Sequence, residues 1–308
     1  MCLVTRASCL VICISICILH FAFCNLAFAN YTTAYLGNGV GARAMGLGNT
    51  FVSVADDATA VYWNPAGLSS QPESKMNLTY QNDVFGYQNL YFFGALPTTM
   101  GKFGFGLMSN QTSSIYGVST PNEGERPAYS STLSDSAMTG FVSYASVFRR
   151  GLHWGVTGKY MTRTLASTRA SGLAVDVGTM YYIMSGVQVG FQVRDLWSTG
   201  IQWQNTTSNP KDAIEPTFCG GLSWQGESFL VSFSDELGGS IGLGGEYNLN
   251  KAIAVRSGLQ IPKDLPLRYW VGTSLDVANF RLDYVFQIDS NADMVSGLEH
   301  TLSVAFKI

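Results

Sequence analysis

The chain has 308 residues, of which 46% are hydrophobic and only 13% are charged, and its formal net charge is -3 at pH 7. Soluble domains carry roughly 25% charged residues, so part of this surface is expected to face something other than water. The net charge and the absence of any Lys/Arg cluster exclude nucleic acid as a partner, because phosphate binding relies on concentrated positive charge.

The first thirty residues have the features of a secretory signal peptide. Arg6 supplies a positive start, residues 10–23 form an apolar stretch, and residues 27–29 (Ala-Phe-Ala) form a small-x-small cleavage site. We therefore predict a signal peptide over 1–29 and a mature chain that begins at Asn30. The alternative is a lipoprotein acylated at Cys24, but the bulky residue before that cysteine fits it poorly.

Five of the six cysteines lie in this predicted signal peptide, so Cys219 is the only one expected in the mature chain. A single thiol excludes an intrachain disulfide and a thiolate metal cluster. Cys219 is followed by Gly220 and Gly221 and has no histidine near it in sequence. We interpret it as a small packing residue rather than a nucleophile, and we predict no cofactor.

Residues 30–74 do not alternate between apolar and polar residues. A glycine-rich stretch is followed by a short helical pattern that starts at Asp56-Asp57 and that Pro65 ends. We interpret the two aspartates as a helix cap rather than as metal ligands or acid/base groups, and we predict no metal site. The run over 39–46 superficially resembles a dinucleotide fingerprint, but its spacing is wrong and no βαβ pattern follows.

From about residue 75 to the end, apolar and polar residues alternate in segments separated by turn residues. Beyond residue 30 there is no apolar run of the ~20 residues that a membrane-spanning helix needs. The sequence therefore predicts an all-β fold, a transmembrane antiparallel β-barrel of about fourteen strands over residues 75–308. The predicted strands cover 75–82, 89–96, 101–109, 137–148, 152–164, 171–183, 186–196, 215–225, 227–235, 240–248, 251–260, 267–277, 279–288 and 299–308.

Connection lengths support this count independently. Short connections follow the even-numbered strands, whereas the longer ones, 110–136, 197–214 and 289–298, follow odd-numbered strands. Barrels of bacterial outer membranes show this alternation when both termini lie on the periplasmic side. An apolar alternating strand at the C-terminus is also typical of them. We predict that the protein lies in the outer membrane of a diderm bacterium, with membrane lipid as a partner.

The predicted mature chain offers little chemistry for catalysis. Its two histidines, His153 and His300, do not lie in serine-containing motifs, so we predict that the protein is not an enzyme. Charges of both signs fall on the lumenal phase of the strands, and we interpret most of them as an internal network that braces the wall. Alternatively, Arg194, Arg268 and Arg281 contact the carboxylate of a ligand. The lumenal charges are Lys159, Arg163, Asp176, Arg194, Glu246, Arg256, Arg268, Asp276, Arg281, Asp283 and Lys307.

Residues 41–68, GARAMGLGNTFVSVADDATAVYWNPAGL, resemble the N-terminal signature of the FadL-like outer-membrane family, and especially of its PorV/PorQ branch. The resemblance implies a fourteen-stranded barrel whose N-terminal segment, here 30–74, forms a hatch that plugs the lumen. The Asn-Pro-Ala motif of that hatch corresponds to Asn64, Pro65 and Ala66, with Gly67 next to it.

The resemblance also implies a function. It predicts transport of small hydrophobic, fatty-acid-like molecules across the outer membrane, and the alternative is a PorV-like scaffold or shuttle for secreted protein partners. A structural barrel without cargo is a third, weaker possibility. Removal of 29 residues from 308 leaves about 279, which is short for the fatty-acid transporters of the family. That length leaves little chain for long outer loops and suits a PorV-like member about as well.

Overall fold

The computed structural model describes residues 33–82, 86–118, 129–206, 209–263, 265–290 and 298–308. The predicted signal peptide and its cysteines lie outside these residues. The described chain begins with four short helices: the 3-10 helix η1 (Ala34–Gly37), α1 (Ala42–Gly46), α2 (Ala60–Trp63) and the 3-10 helix η2 (Pro65–Ser70). No helix among the described residues is long and apolar enough to cross a membrane.

The described residues that follow form a single antiparallel sheet of sixteen strands. Fourteen of them form a closed ring, since β1 pairs with β16, β5 pairs with β6, and β7 pairs with β10. The strands are β1 (Lys75–Asn82), β2 (Gln88–Thr98), β3 (Gly101–Val118), β4 (Tyr129–Arg149), β5 (Leu152–Leu165), β6 (Thr168–Met184), β7 (Val187–Ser198), β8 (Ile201–Gln204), β9 (Lys211–Asp212), β10 (Thr217–Gln225), β11 (Phe229–Glu236), β12 (Ser240–Asn248), β13 (Ile253–Pro262), β14 (Arg268–Val277), β15 (Phe280–Asp289) and β16 (Leu298–Lys307).

This ring confirms the predicted barrel and its fourteen strands. The other two strands, β8 and β9, form a small hairpin that pairs with the first residues of β6. The two ends of the barrel differ. At one end, which also holds the C-terminus, the strands are joined by connections of two to four residues; we call it the turn end. The opposite end carries the longest connections, such as 199–216, and we call it the loop end.

Two of the predicted loops contain strands. The expected loop 110–136 is mostly strand, because β3 and β4 continue to pair as far as Val118 and Tyr129. These extensions are rich in serine and threonine, and polar and apolar residues do not alternate within them. Hydrogen bonding between two strands needs no apolar face, so periodicity does not reveal a ribbon that extends past the barrel wall. The second predicted loop, 197–214, contains β8 and β9 for the same reason.

The two faces of the wall differ in chemistry. On β7 the side chain of Phe191 points outward and is 48% exposed, whereas its neighbour Gln192 points inward and is 2% exposed. The pattern recurs around the ring, where outward leucines such as Leu222 and Leu243 alternate with buried inward residues. A closed ring leaves no free strand edge, so the backbone of the wall is paired throughout.

Arginine at the outward position Val189 is expected to lower the free energy of unfolding by about 2 to 4 kcal/mol, because it places a charge against lipid. Arginine at the inward neighbour Gln188 is expected to have a mild effect. Urea titration of both variants in lipid vesicles, followed by tryptophan fluorescence, measures the difference. Equal losses would mean that the two faces are assigned wrongly.

Candidate functional site

The lumen of the barrel is the candidate functional site. Residues 33–71, which we call the internal segment, lie inside the ring and are mostly buried. Phe51 and Leu68 of the internal segment and Tyr91 and Phe93 of the wall are all fully buried in one apolar cluster. The core of this protein therefore lies between the internal segment and the inner face of the wall.

Three glycine pairs on neighbouring strands receive the backbone of the internal segment. The paired residues are Gly155 with Gly178, Gly190 with Gly221, and Gly244 with Gly258. A methyl group on any of these six glycines would lie closer than 3.0 Å to atoms of the internal segment. The first pair faces residues 64–66, the second faces 52–53, and the third faces 47–48. At these three places the backbone of the segment approaches the wall closely because the wall has no side chains there.

Asn64 connects the internal segment to the wall at the first glycine pair. Its amide nitrogen donates to the backbone oxygens of Val52 at 2.7 Å and Thr179 at 3.1 Å, and its amide oxygen accepts from the Ala66 nitrogen at 3.1 Å. Pro65 follows as the first residue of η2, where its missing N–H costs no hydrogen bond. Gly67 packs against the backbone oxygen of Ala55. The four residues predicted for the hatch therefore form one buried turn against β5 and β6.

Replacement of Asn64 by alanine is expected to lower the free energy of unfolding by about 3 kcal/mol, because three buried hydrogen bonds to backbone groups would be lost at about 1 kcal/mol each. Serine at 70, exchanged for alanine, is the matched control, since its hydroxyl donates to the Gly67 oxygen within its own turn. Urea unfolding of both variants in detergent measures the difference. A loss no greater for Asn64→Ala than for Ser70→Ala would contradict the assigned anchoring role.

A buried charge network joins the internal segment to the wall near the turn end. Arg43 of α1 pairs with Asp56 and, at 3.0 Å, with Glu246 of β12. Arg256 pairs with the same Glu246 at 3.1 Å and with Asp283 at 2.7 Å. This arrangement matches the interpretation of the lumenal charges as an internal brace. Sequence reasoning did not single out Arg43, although it is the one charge in the apolar start of the signature.

The structure does not bring the three candidate ligand arginines together. Arg281 belongs to the turn-end network, where it lies 3.1 Å from Asp283 and 3.7 Å from Glu246. Arg268 lies near the loop end, 3.8 Å from Asp289. Arg194 pairs with Glu236 on the inner face of β7. A single carboxylate bound by all three arginines is therefore excluded by their positions.

A cavity of about 200 Å³ lies on the loop-end side of the internal segment, and Arg194 lines it. The internal segment contributes one part of its lining, including Leu36 and Tyr62, and the wall contributes the other. The residues on the wall side are Phe141, Lys159, Asp176, Arg194, Asp195, Thr217 and Glu236. Lys159 pairs with Asp176 at 2.7 Å and with Asp195 at 2.5 Å. A second cavity of about 40 Å³ adjoins the same arginine and contains Cys219 in its lining.

Asp195 reaches this cavity because β7 carries a bulge. Val177 of β6 pairs with Val193 and Val175 pairs with Trp197, so three residues of β7 stand opposite Asp176 alone. Asp195 has a φ of 55°, and its backbone nitrogen donates to Asp176 at 2.7 Å. Strict alternation puts Asp195 on the lipid-facing phase, so sequence reasoning missed it. Its charge was the signal for an inward orientation, because a carboxylate that faces lipid costs free energy and a bulge can turn it inward.

Hydrogen bonds and burial determine the protonation of the titratable groups of the internal segment. Burial raises the pKa of Tyr62 to about 12, so its hydroxyl stays protonated and donates to the backbone oxygen of Leu36. Burial, with Asp56 beside it, raises the pKa of Asp57. The Asp57 carboxylate accepts from the Thr59 nitrogen at 2.8 Å, which closes a turn ahead of α2. The predicted cap is wrong, because Thr59 and not Asp57 is the N-cap of this helix.

The remaining candidates occupy structural positions. Cys219 is buried and free. His153 points inward and bonds Ser69 of η2, whereas His300 lies on the outer face, bonded to Tyr284 at 2.6 Å. Within the described ranges, no three histidine, cysteine, aspartate or glutamate side chains are grouped to hold a metal ion.

The fold is similar to that of solved outer-membrane channels. No protein-family model matches the chain, and no curated protein matches it in sequence. The Pseudomonas putida toluene transporter TodX has a TM-score of 0.65 at 14% identity, with 88% of this chain and 99% of that chain covered. A Pseudomonas aeruginosa FadL homologue has a TM-score of 0.54 at 10% identity, covering 84% of this chain and 96% of that chain. The chain has the barrel fold of these FadL-like proteins.

Proposed function

We propose that the protein carries small hydrophobic molecules across the outer membrane, with the internal segment acting as a displaceable hatch. The observation that carries this proposal is the arrangement of the lumen. The internal segment fills it toward the turn end, and the 200 Å³ cavity lies against the segment on the loop-end side. The similarity of the fold to a toluene transporter and to a FadL homologue supports it.

The size of the cavity favours a compact ligand. Its 200 Å³ is below the ~300 to 1,000 Å³ of pockets that hold drug-sized molecules. A single-ring molecule is therefore a better candidate than a long acyl chain. Leu36, Tyr62 and Phe141 supply apolar contacts for such a ring.

A disulfide between the internal segment and the wall tests whether the segment moves during uptake. The hydroxyls of Thr50 and Ser232 lie 2.5 Å apart. A disulfide between T50C and S232C therefore joins the turn after α1 to β11. Both changes are made in a C219S background, which removes the other described thiol. Intact diderm cells that produce this variant are expected to take up labelled toluene more slowly than cells that produce either single-cysteine variant. Equal uptake would contradict a displaceable hatch.

The alternative, a PorV-like scaffold for secreted proteins, has one observation in its favour. The paired extensions of β3 and β4 reach Val118 and Tyr129 at the loop end, beyond the residues that pair with β2 and β5. Such a ribbon has edges on which another chain can add a strand. Shortening the ribbon to Thr112 and Asp135 should abolish capture of a secreted protein by a scaffold while leaving toluene uptake by a transporter intact.

A further inference from the structure

The cavity against the internal segment has an unequal number of positive and negative groups. Lys159 and Arg194 are its two cations, and Asp176, Asp195 and Glu236 are its three carboxylates, which leaves one negative charge. The excess depends on Asp195, because the bulge in β7 turns this side chain inward beside Arg194. Without the bulge, the lining would be balanced.

Both cations are already engaged. The Lys159 ammonium lies between two carboxylates at 2.7 and 2.5 Å, and its side chain is only 3% exposed. Arg194 is held by Glu236. A ligand carboxylate would have to break one of these pairs and leave a buried carboxylate without its partner, which is strongly unfavourable. Anionic ligands are therefore disfavoured in this cavity.

The internal segment contributes Leu36 and Tyr62 to the cavity, and Phe141 of the wall is the cross-strand neighbour of Lys159. The face of an aromatic side chain can contact an apolar ring and also attracts a cation. The carboxylates of the wall attract an ammonium group. We propose that this cavity binds small ring compounds that carry an ammonium group, and that Asp195 is the residue that determines this preference. The inference rests on the proposed function and specifies the ligand class within it.

Three probes with one ring and different charge test the preference: benzylamine, benzyl alcohol and benzoate. Equilibrium dialysis of the full mature chain in detergent, with protein-free micelles as the blank, measures each affinity. Benzylamine is expected to bind on the order of tenfold more tightly than benzyl alcohol, and benzoate on the order of tenfold more weakly, as expected for one partly screened charge. Equal affinities of the amine and the alcohol would overturn the proposal.

The variant Asp195→Asn should bring benzylamine to the affinity of benzyl alcohol, because it removes the excess charge and asparagine tolerates the same positive φ. Asp195→Gly keeps the bulge without any side chain and should act in the same way. Asp276→Asn, at the turn end and outside the cavity lining, is the matched control and should keep the preference. Preference retained in both Asp195 variants would overturn the assignment.

The outcomes also separate this inference from the proposed function. If benzyl alcohol binds and toluene enters cells, but the amine has no advantage, transport stands and the charge preference is wrong. If none of the three probes binds and toluene does not enter, the proposed function fails and this inference fails with it.

Discussion

Valine at Gly244 is expected to open the barrel to ions, whereas valine at the adjacent Gly245 should leave it closed. Gly244 faces inward, and a side chain there would collide with the backbone oxygen of Leu47 and the hydroxyl of Thr50. At Gly245 a side chain would meet nothing within 4 Å. The inner variant must push the internal segment away from β12, at a cost of about 1 to 3 kcal/mol for overpacking.

Planar-bilayer conductance and urea unfolding measure these effects together. The same comparison is available on β10, where Gly221 faces Val52 and the neighbouring Gly220 faces open space. Two strands thus offer adjacent glycines of which one receives the segment and the other does not. Valine at the outward positions should be neutral or slightly stabilising, since valine favours strands over glycine. If the inner and outer variants conduct alike, the segment is not held by the glycine pairs.

The barrel was predictable because its two determinants are local. Alternation of apolar and polar residues marks each strand, and the order of short and long connections fixes which strands face the same way. Both can be read along the chain without knowing what lies opposite. The extended ribbon of β3 and β4 was not predicted, because each of its strands pairs with another polar strand and does not face lipid.

The contents of the lumen were only partly predictable. Asn64 and Pro65 were expected inside through a family resemblance, but the glycines that receive them lie more than 80 residues away in sequence. A glycine on the inward phase of a strand signals a close approach of another backbone, although it does not say which backbone. Asp195 shows the same limit, because one bulge changes the phase of every residue after it.

Deletion of residues 38–68 should convert the closed barrel into a conducting one. The deleted stretch contains the residues of the internal segment that meet the three glycine pairs and also Arg43, which links the segment to Glu246. The fourteen strands pair with one another and, at β6, with β8, so the wall keeps its backbone ladder without the deleted residues. A folded barrel can be recognised by faster migration of the unboiled sample on a detergent gel.

Planar-bilayer recordings of the deletion variant should show steady ion currents, and cells that produce it should become sensitive to a small hydrophilic antibiotic. The full mature chain should remain closed in both assays. Pro65→Gly provides a milder test, because it keeps the segment but frees the backbone at the start of η2. A transporter should lose selective uptake of toluene in this variant, whereas a scaffold should still retain its secreted partner through the loop end. If the deletion variant folds but conducts no more than the full chain, the internal segment does not close the pore, and the proposed hatch is wrong although the barrel remains.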